Sequence, residues 1–187
     1  MTKPEPNNHE IKLSPKRYIV SKTDAKGIIE YGNDYFVEIS GYTEAELIGK
    51  PHSIVRHPDM PKVVFKMMWD RINKAQNIMA VVKNMAKDGS YYWVVTEFEP
   101  KVDPISNEII SHTAFRKAAP QKAIEVMEPI YQKLLEIEHD GGMEASEKYL
   151  RGFLEEKKVT YDDFIDDLVG NKGVFKLFFT AMKKLFS

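Results

Sequence analysis

The sequence predicts an α+β fold: a five-stranded antiparallel sheet with short helices on one face, followed by a helical extension. Three observations carry this. Two β-rich runs precede a helical stretch and three follow it, the order of an antiparallel sheet with helices between its hairpins. Turn residues stand where strands would reverse, Asp24-Ala25-Lys26-Gly27 and Asp88-Gly89. After Lys117 the apolar residues recur at the spacing of a helix and no longer alternate.

The elements follow in order. Residues 1–16 hold three prolines and few apolar side chains, so they are expected as a flexible leader, ordered near the first strand at most. Residues 18–22 and 28–31 read as a hairpin. A short helix then starts at Asn33 or Asp34 as its cap, buries Phe36, Val37 and Ile39, and stops at Gly41. Thr43 and Glu46 form a capping-box pattern, which predicts a single-turn helix ending at Gly49. Three prolines within residues 51–61 forbid a long helix there. Pro61 suits the first position of the next helix, predicted over 61–76, where Val64, Phe65, Met68, Trp69 and Ile72 share a face. Strands are expected at 78–87, 90–102 and 108–116. Beyond them Ile124, Met127, Tyr131 and Leu134 mark a helix with Pro129 as a kink or restart, and Gly141-Gly142 break it. Further helices are predicted over 143–157, from Thr160 to Gly170, and over 174–186. The expected division is a leader (1–16), a sheet domain (17–117) and a helical segment (118–187).

Composition excludes several classes of function. The 187 residues contain no cysteine, so disulfides, thiol catalysis, iron–sulfur clusters and cysteine-bound zinc are out. Lys+Arg number 27 against 28 Asp+Glu, a net charge of −1, which argues against general nucleic-acid binding. The first residues are polar and show no secretory signal, and no apolar run is long enough to span a bilayer, so the expected location is cytoplasmic. Charge is uneven. Residues 118–169 are rich in acid, whereas 170–187 carry Lys172, Lys176, Lys183 and Lys184 and no acid. Phe175, Phe178, Phe179, Met182, Leu185 and Phe186 would share one face of a helix there, so residues 171–187 can pack on the preceding helices, dock on a partner or touch a membrane surface. No nucleophile elbow, HExxH or phosphate-binding loop occurs, and the expectation is a protein that is not an enzyme.

The local sequence resembles the PAS domain of bacterial aerotaxis receptors over roughly residues 15–117. The resemblance rests on Asn33-Asp34 with Phe36, Ser40-Gly41-Tyr42-Thr43, Glu46-Leu47-Ile48-Gly49 and above all Ile54-Val55-Arg56-His57-Pro58-Asp59-Met60-Pro61. Phe65, Met68-Trp69, Val82-Lys83-Asn84, Asp88-Gly89 and Tyr92-Trp93-Val94 extend it. It implies a PAS fold that binds FAD without a covalent bond, reads redox or electron-transport state and reports to the chemotaxis machinery. The implied flavin-associated positions are Asn33, Arg56, His57, Asp59, Phe65, Trp69 and Asn84. The receptors carry a membrane anchor and a kinase-coupling coiled coil that this sequence does not show, so the implied partner is a membrane-bound chemoreceptor-type protein. Self-association through flanking helices is a further implication.

The residue chemistry stands beside the resemblance. Phe65, Trp69 and Trp93 could wall a flat ring, although on a helix face or strand they would pack against the core in any case. Arg56 offers a planar fork for phosphate, or an ion pair with Asp59. Asp59 and Asn33 precede helices and suit caps. Asn84 in a strand is unusual, and its amide can both donate and accept at a pyrimidine edge. His57 could stack on a flavin or, alternatively, ligate haem b in a gas sensor, and a cofactor-free interaction module is the other alternative. His112 reads as structural.

Overall fold

Alternation along the strands decides the sheet. β1 (Ile19–Asp24), β2 (Ile29–Gly32), β3 (Ile78–Met85), β4 (Tyr91–Val102) and β5 (Ile109–Ala118) pair antiparallel in the order β2-β1-β5-β4-β3. The computed structural model describes residues 4–170; the amphipathic stretch 171–187, with its predicted helix, lies outside the described residues. In the β3–β4 hairpin Asn84 stands opposite Tyr92 and Lys83 opposite Trp93. In the β4–β5 pair Thr96 stands opposite Arg116. Side chains alternate between faces, so Asn84, Thr96 and Arg116 share one face, and Lys83 and Trp93 share the other.

The chain between β2 and β3 covers the first of these faces. It contains α1 (Asp34–Ser40), α2 (Glu44–Leu47), a 3₁₀ turn at His52–Val55, and α3 (Lys62–Ile72). Asn33 starts α1: its side-chain oxygen accepts from the amides of Phe36 (3.1 Å) and Val20 (3.1 Å), and its amide donates to the Tyr18 carbonyl (2.8 Å). Gly41 ends α1 in the left-handed conformation at φ 69°. The Thr43–Glu46 capping box forms as the sequence pattern predicts.

The opposite face carries α4 (Gln121–Lys157) and α5 (Tyr161–Val169). Tyr131 of α4 stacks on Trp93 at 6.3 Å between ring centres, and its hydroxyl donates to the Val81 carbonyl at 2.6 Å. Pro129 lies inside α4, and the helix passes through it. Gly142, at φ 76° and ψ 177°, does break α4. The two halves fold toward each other there, so the Ser146 hydroxyl reaches Glu138 at 3.1 Å. Eight residues of straight helix would separate these positions by about 12 Å along the axis.

The N-terminal residues differ from the flexible leader expected. Asn7 donates to the Gly89 carbonyl, Tyr91 to that of His9, and Ile11 to that of Tyr91, and Ile11 and Leu13 pack on the core. The reason lies in the strand lengths. β5 ends opposite Val94, which leaves the first residues of β4 without a strand on that side. The leader supplies the missing backbone partners.

Candidate functional site

A cavity of about 260 Å³ lies between α3 and the sheet face that bears Asn84. Its apolar wall comes from the α3 positions that the sequence places on one face, Phe65, Met68, Trp69 and Ile72, with Val82, Phe98 and Ala114 from the sheet. Polar side chains line the rest, and Ser21, Thr23, Asn84, Thr96, His112 and Arg116 among them are buried, so the site joins an apolar wall to convergent polar groups.

Arg116 is the largest of them. It is 2% exposed, and no carboxylate pairs with it among the described residues. One guanidinium nitrogen donates to the Ser21 hydroxyl at 2.9 Å, and another to His52 Nε2 at 2.8 Å. Arginine has only donors, so Nε2 accepts and the His52 proton sits on Nδ1. Burial, and then the neighbouring guanidinium, hold the His52 pKa well below its usual value, so the ring is neutral. Burial also lowers Arg116, to about 10, which still leaves it charged at neutral pH. The cavity therefore holds a positive charge with no internal counter-ion among the described residues.

Three further polar atoms at the cavity are buried without a hydrogen-bond partner: Arg56 Nη2, Thr96 Oγ1 and His112 Nδ1. His112 Nε2 lies 3.3 Å from the Ala25 carbonyl, which can only accept. The ring proton is thus on Nε2, and Nδ1 is a bare acceptor. Arg56 lays its guanidinium 3.6 Å from the centre of the Phe65 ring, and its backbone bridges to that of Asn84. Unpaired buried polar groups are uncommon in folded proteins because each loses its water for nothing. A ligand with both acceptors and donors along one edge would satisfy this set.

At the mouth, Trp69 is 37% exposed, meets His112 edge-on at 5.6 Å, and stands against Gly27. A Cβ on Gly27 would lie 3.0 Å from the indole, and Gly27 has φ +83°. Glycine is therefore required there both for the turn and for the close approach of Trp69. Lys26 is the exposed cation beside it.

Of the eight positions singled out from the sequence, Arg56, Phe65, Trp69 and Asn84 come together around this cavity. The other four lie outside it. Asn33 is the cap of α1. His57 is buried, but its Nδ1 accepts from the Asp59 amide at 3.1 Å and its ring meets Tyr91 edge-on. Asp59 is half exposed and pairs with Lys83 at 2.7 Å, so the alternative pairing with Arg56 does not form. Trp93 faces α4, because a residue one place removed from the Asn84–Tyr92 pair points to the other side of the sheet. The cavity also uses His52, Ser21, Thr96 and Arg116, which sequence reasoning missed. His112, read as structural, lines it too. No group of His, Asp and Glu suited to a metal ion occurs among the described residues, and no helix among them is long and apolar enough to cross a membrane.

The comparisons agree with this architecture. Residues 29–110 match the family described as PAS fold. The chain is 39% identical over 122 residues to the aerotaxis receptor of Escherichia coli, a match that covers 65% of this chain and 24% of the receptor. It is 28% identical over 85 residues to a nitrogen fixation regulatory protein of Klebsiella pneumoniae, covering 46% of this chain and 17% of that protein. The matched stretch thus spans about a quarter or less of the length of these curated relatives. Among solved structures, the blue-light photoreceptor domain Aureochrome1 LOV superposes with a TM-score of 0.52 at 15% identity, covering 60% of this chain and 88% of that one. A Light-Oxygen-Voltage domain studied with a flavin analogue gives 0.52 at 15%, covering 59% and 82%. At such identity these two establish the fold alone. With sheet order and local sequence in agreement, the sheet domain has the PAS fold and is similar in sequence to part of the aerotaxis receptor.

Proposed function

We propose that this protein is a flavin-binding redox sensor that reports electron-transport state to a membrane-bound chemoreceptor-type partner. The observation that carries the reading is the buried Arg116, which has no carboxylate partner among the described residues, at the same cavity as three polar atoms unpaired among them. The isoalloxazine of FAD fits this chemistry. It is flat and apolar across its faces, and along one edge it presents acceptors and a donor. When bound, it would supply reversible electron uptake with a change of charge and hydrogen bonding at that edge.

The residues have defined tasks in this reading. Phe65, Met68 and Ile72 exclude water on the α3 side. Asn84 and Thr96 donate to and accept from the polar edge. Arg116 stabilises negative charge there, and neutral His52 holds the guanidinium in place without competing for that charge. Arg56 and the exposed Lys26 line the same cavity and would meet the pyrophosphate, which extends beyond a space just below the usual range of ligand pockets, about 300–1,000 Å³. Asn33, His57, Asp59 and Trp93 act on the site through the elements that they hold. In this reading the domain binds and signals and is not an enzyme. The location proposed is cytoplasmic, beside the membrane-bound partner, with self-association through the flanking helices. Haem b is the weaker reading: His57, the axial ligand that it would use, is committed to the Asp59 amide outside the cavity.

The test is the visible spectrum of the purified protein, followed by denaturation and identification of what is released. Two bands in the near-ultraviolet and blue, bleached by dithionite, with FAD in the supernatant, are expected. A single intense Soret band, or a colourless protein that takes up no added flavin, would overturn the reading.

A further inference from the structure

The strap of residues 56–61 runs from the cavity to α3, and α4 holds it at two points. Near its middle, Asp59 pairs with Lys83 at 2.7 Å, and Lys83 reaches Glu128 of α4 at 3.6 Å. The Lys83 side chain is 9% exposed and lies 4.5 Å from the Tyr91 ring and 5.7 Å from that of Trp93. At the end of the strap, α3 has no cap of its own. Pro61 occupies the N-cap position and has no side-chain acceptor. The Glu138 carboxylate of α4 takes that role, accepting from the amides of Lys62 (2.9 Å) and Val63 (2.7 Å). Ser146, from beyond the Gly142 break, donates to the same carboxylate. The field of Glu138 also favours the charged form of Arg56, whose pKa burial lowers.

A helix whose first amides are held by another helix's carboxylate cannot shift without it. The first amides of a helix have no partner within the helix, and here both halves of α4 converge on the group that supplies one. Arg56 and Asn84, joined through their backbones, stand at the cavity end of the same strap. We propose that Glu138 is a positioning residue that couples the cavity to α4, and that the α4 break at Gly142 is the hinge through which the state of the cavity reaches a partner. The signalling part of this inference rests on the cavity being the ligand site; the coupling itself does not. Coupling is reciprocal, so a change made in α4 must be felt at the cavity.

Reciprocity gives a readout that needs no flavin. The full chain has two tryptophans, Trp69 at the cavity mouth and Trp93 under Tyr131. Labelled with 5-fluorotryptophan, they give two fluorine resonances, assigned through Trp93→Phe. In flavin-free protein, Glu138→Ala is expected to move the Trp69 resonance, and Glu138→Gln, which keeps one acceptor, to move it less. Lys133→Ala, on the exposed side of α4, leaves it in place. With FAD added, Glu138→Ala is expected to weaken binding at least fivefold. Reduction by dithionite should change protease cleavage near Gly142 in the parent and not in the variant. An unmoved Trp69 resonance in Glu138→Ala overturns the coupling; if that variant does not fold, Glu138→Gln decides by the same criterion. Unchanged cleavage on reduction of the flavin-loaded parent overturns the signalling role of the hinge. A parent that takes up no FAD overturns the functional reading and the signalling part with it, and the Trp69 result still decides the coupling.

Discussion

Arg116 Nη2 and His52 Nε2 lie 2.8 Å apart under the cavity, a buried cation held by a neutral ring. Desolvation makes such a charge expensive, and Ser21 and His52 are 3.0 Å from each other, so they can pair without it. Arg116→Met is therefore expected to raise the stability of the ligand-free protein by about 1 kcal/mol, at the low end of the gains seen when buried charges become apolar. The same change should weaken FAD binding at least tenfold. Urea unfolding and flavin titration check the two halves. A variant less stable than its parent would show that the guanidinium is a structural group.

The neutral His52 also sets a pH dependence. Its pKa is lowered on folding, so below about pH 6.5 the unfolded chain binds a proton that the folded chain refuses. Stability is full above that pH and falls as pH drops through it. The slope for one histidine reaches at most about 1.4 kcal/mol per pH unit. His112, lowered by burial, acts with the same sign. Urea midpoints at pH 7.5 and 5.5 should differ clearly in the parent and less in His52→Gln.

Two glycines separate backbone strain from crowding. Gly27 and Gly49 have φ of +83° and +77°, but a Cβ would meet Trp69 only at Gly27 and nothing at Gly49. Both changes to Ala should cost about 1 kcal/mol through the left-handed backbone. Only Gly27→Ala should also shift Trp69 and lower flavin uptake. Parallel thermal melts and absorbance ratios distinguish them.

Asn33 and Asn84 look alike in the sequence and should fail differently. Asn33→Ala loses three hydrogen bonds at the start of α1 and is expected to cost about 1–2 kcal/mol, with flavin content per folded molecule unchanged. Asn84→Ala should lose flavin while keeping most of its stability. The pair is read by melting temperature against the flavin-to-protein absorbance ratio.

Most of the fold was legible because it rests on local signals: the turn at Asp88-Gly89, the Thr43–Glu46 box, the Gly41 stop and the Gly142 break. The cavity was half legible. Phe65 and Trp69 follow from helical spacing, and Asn84 from being out of place in a strand. Arg116 was missed because an arginine in a strand ordinarily marks the wet side, and here the alternation turns it inward, opposite Thr96. Trp93 stays open between wall and core in the sequence because its face depends on hairpin register, which Asn84 opposite Tyr92 fixes. His52 precedes the recognisable string by two residues, and only the path of the chain brings it beneath Arg116. The ordered leader follows from the unequal ends of β4 and β5, a relationship between distant segments.

The lone charge of Arg116 bears on how long a molecule survives. A ligand that binds only the folded chain adds RT ln(1 + [L]/Kd) to its stability, about 2.7 kcal/mol at a hundredfold excess over Kd. A molecule without its occupant forgoes that gain, opens more often and is cut first by any protease present. Degradation would thus sort the population, and the proportion of filled molecules in a cell or a preparation would reflect turnover as much as affinity.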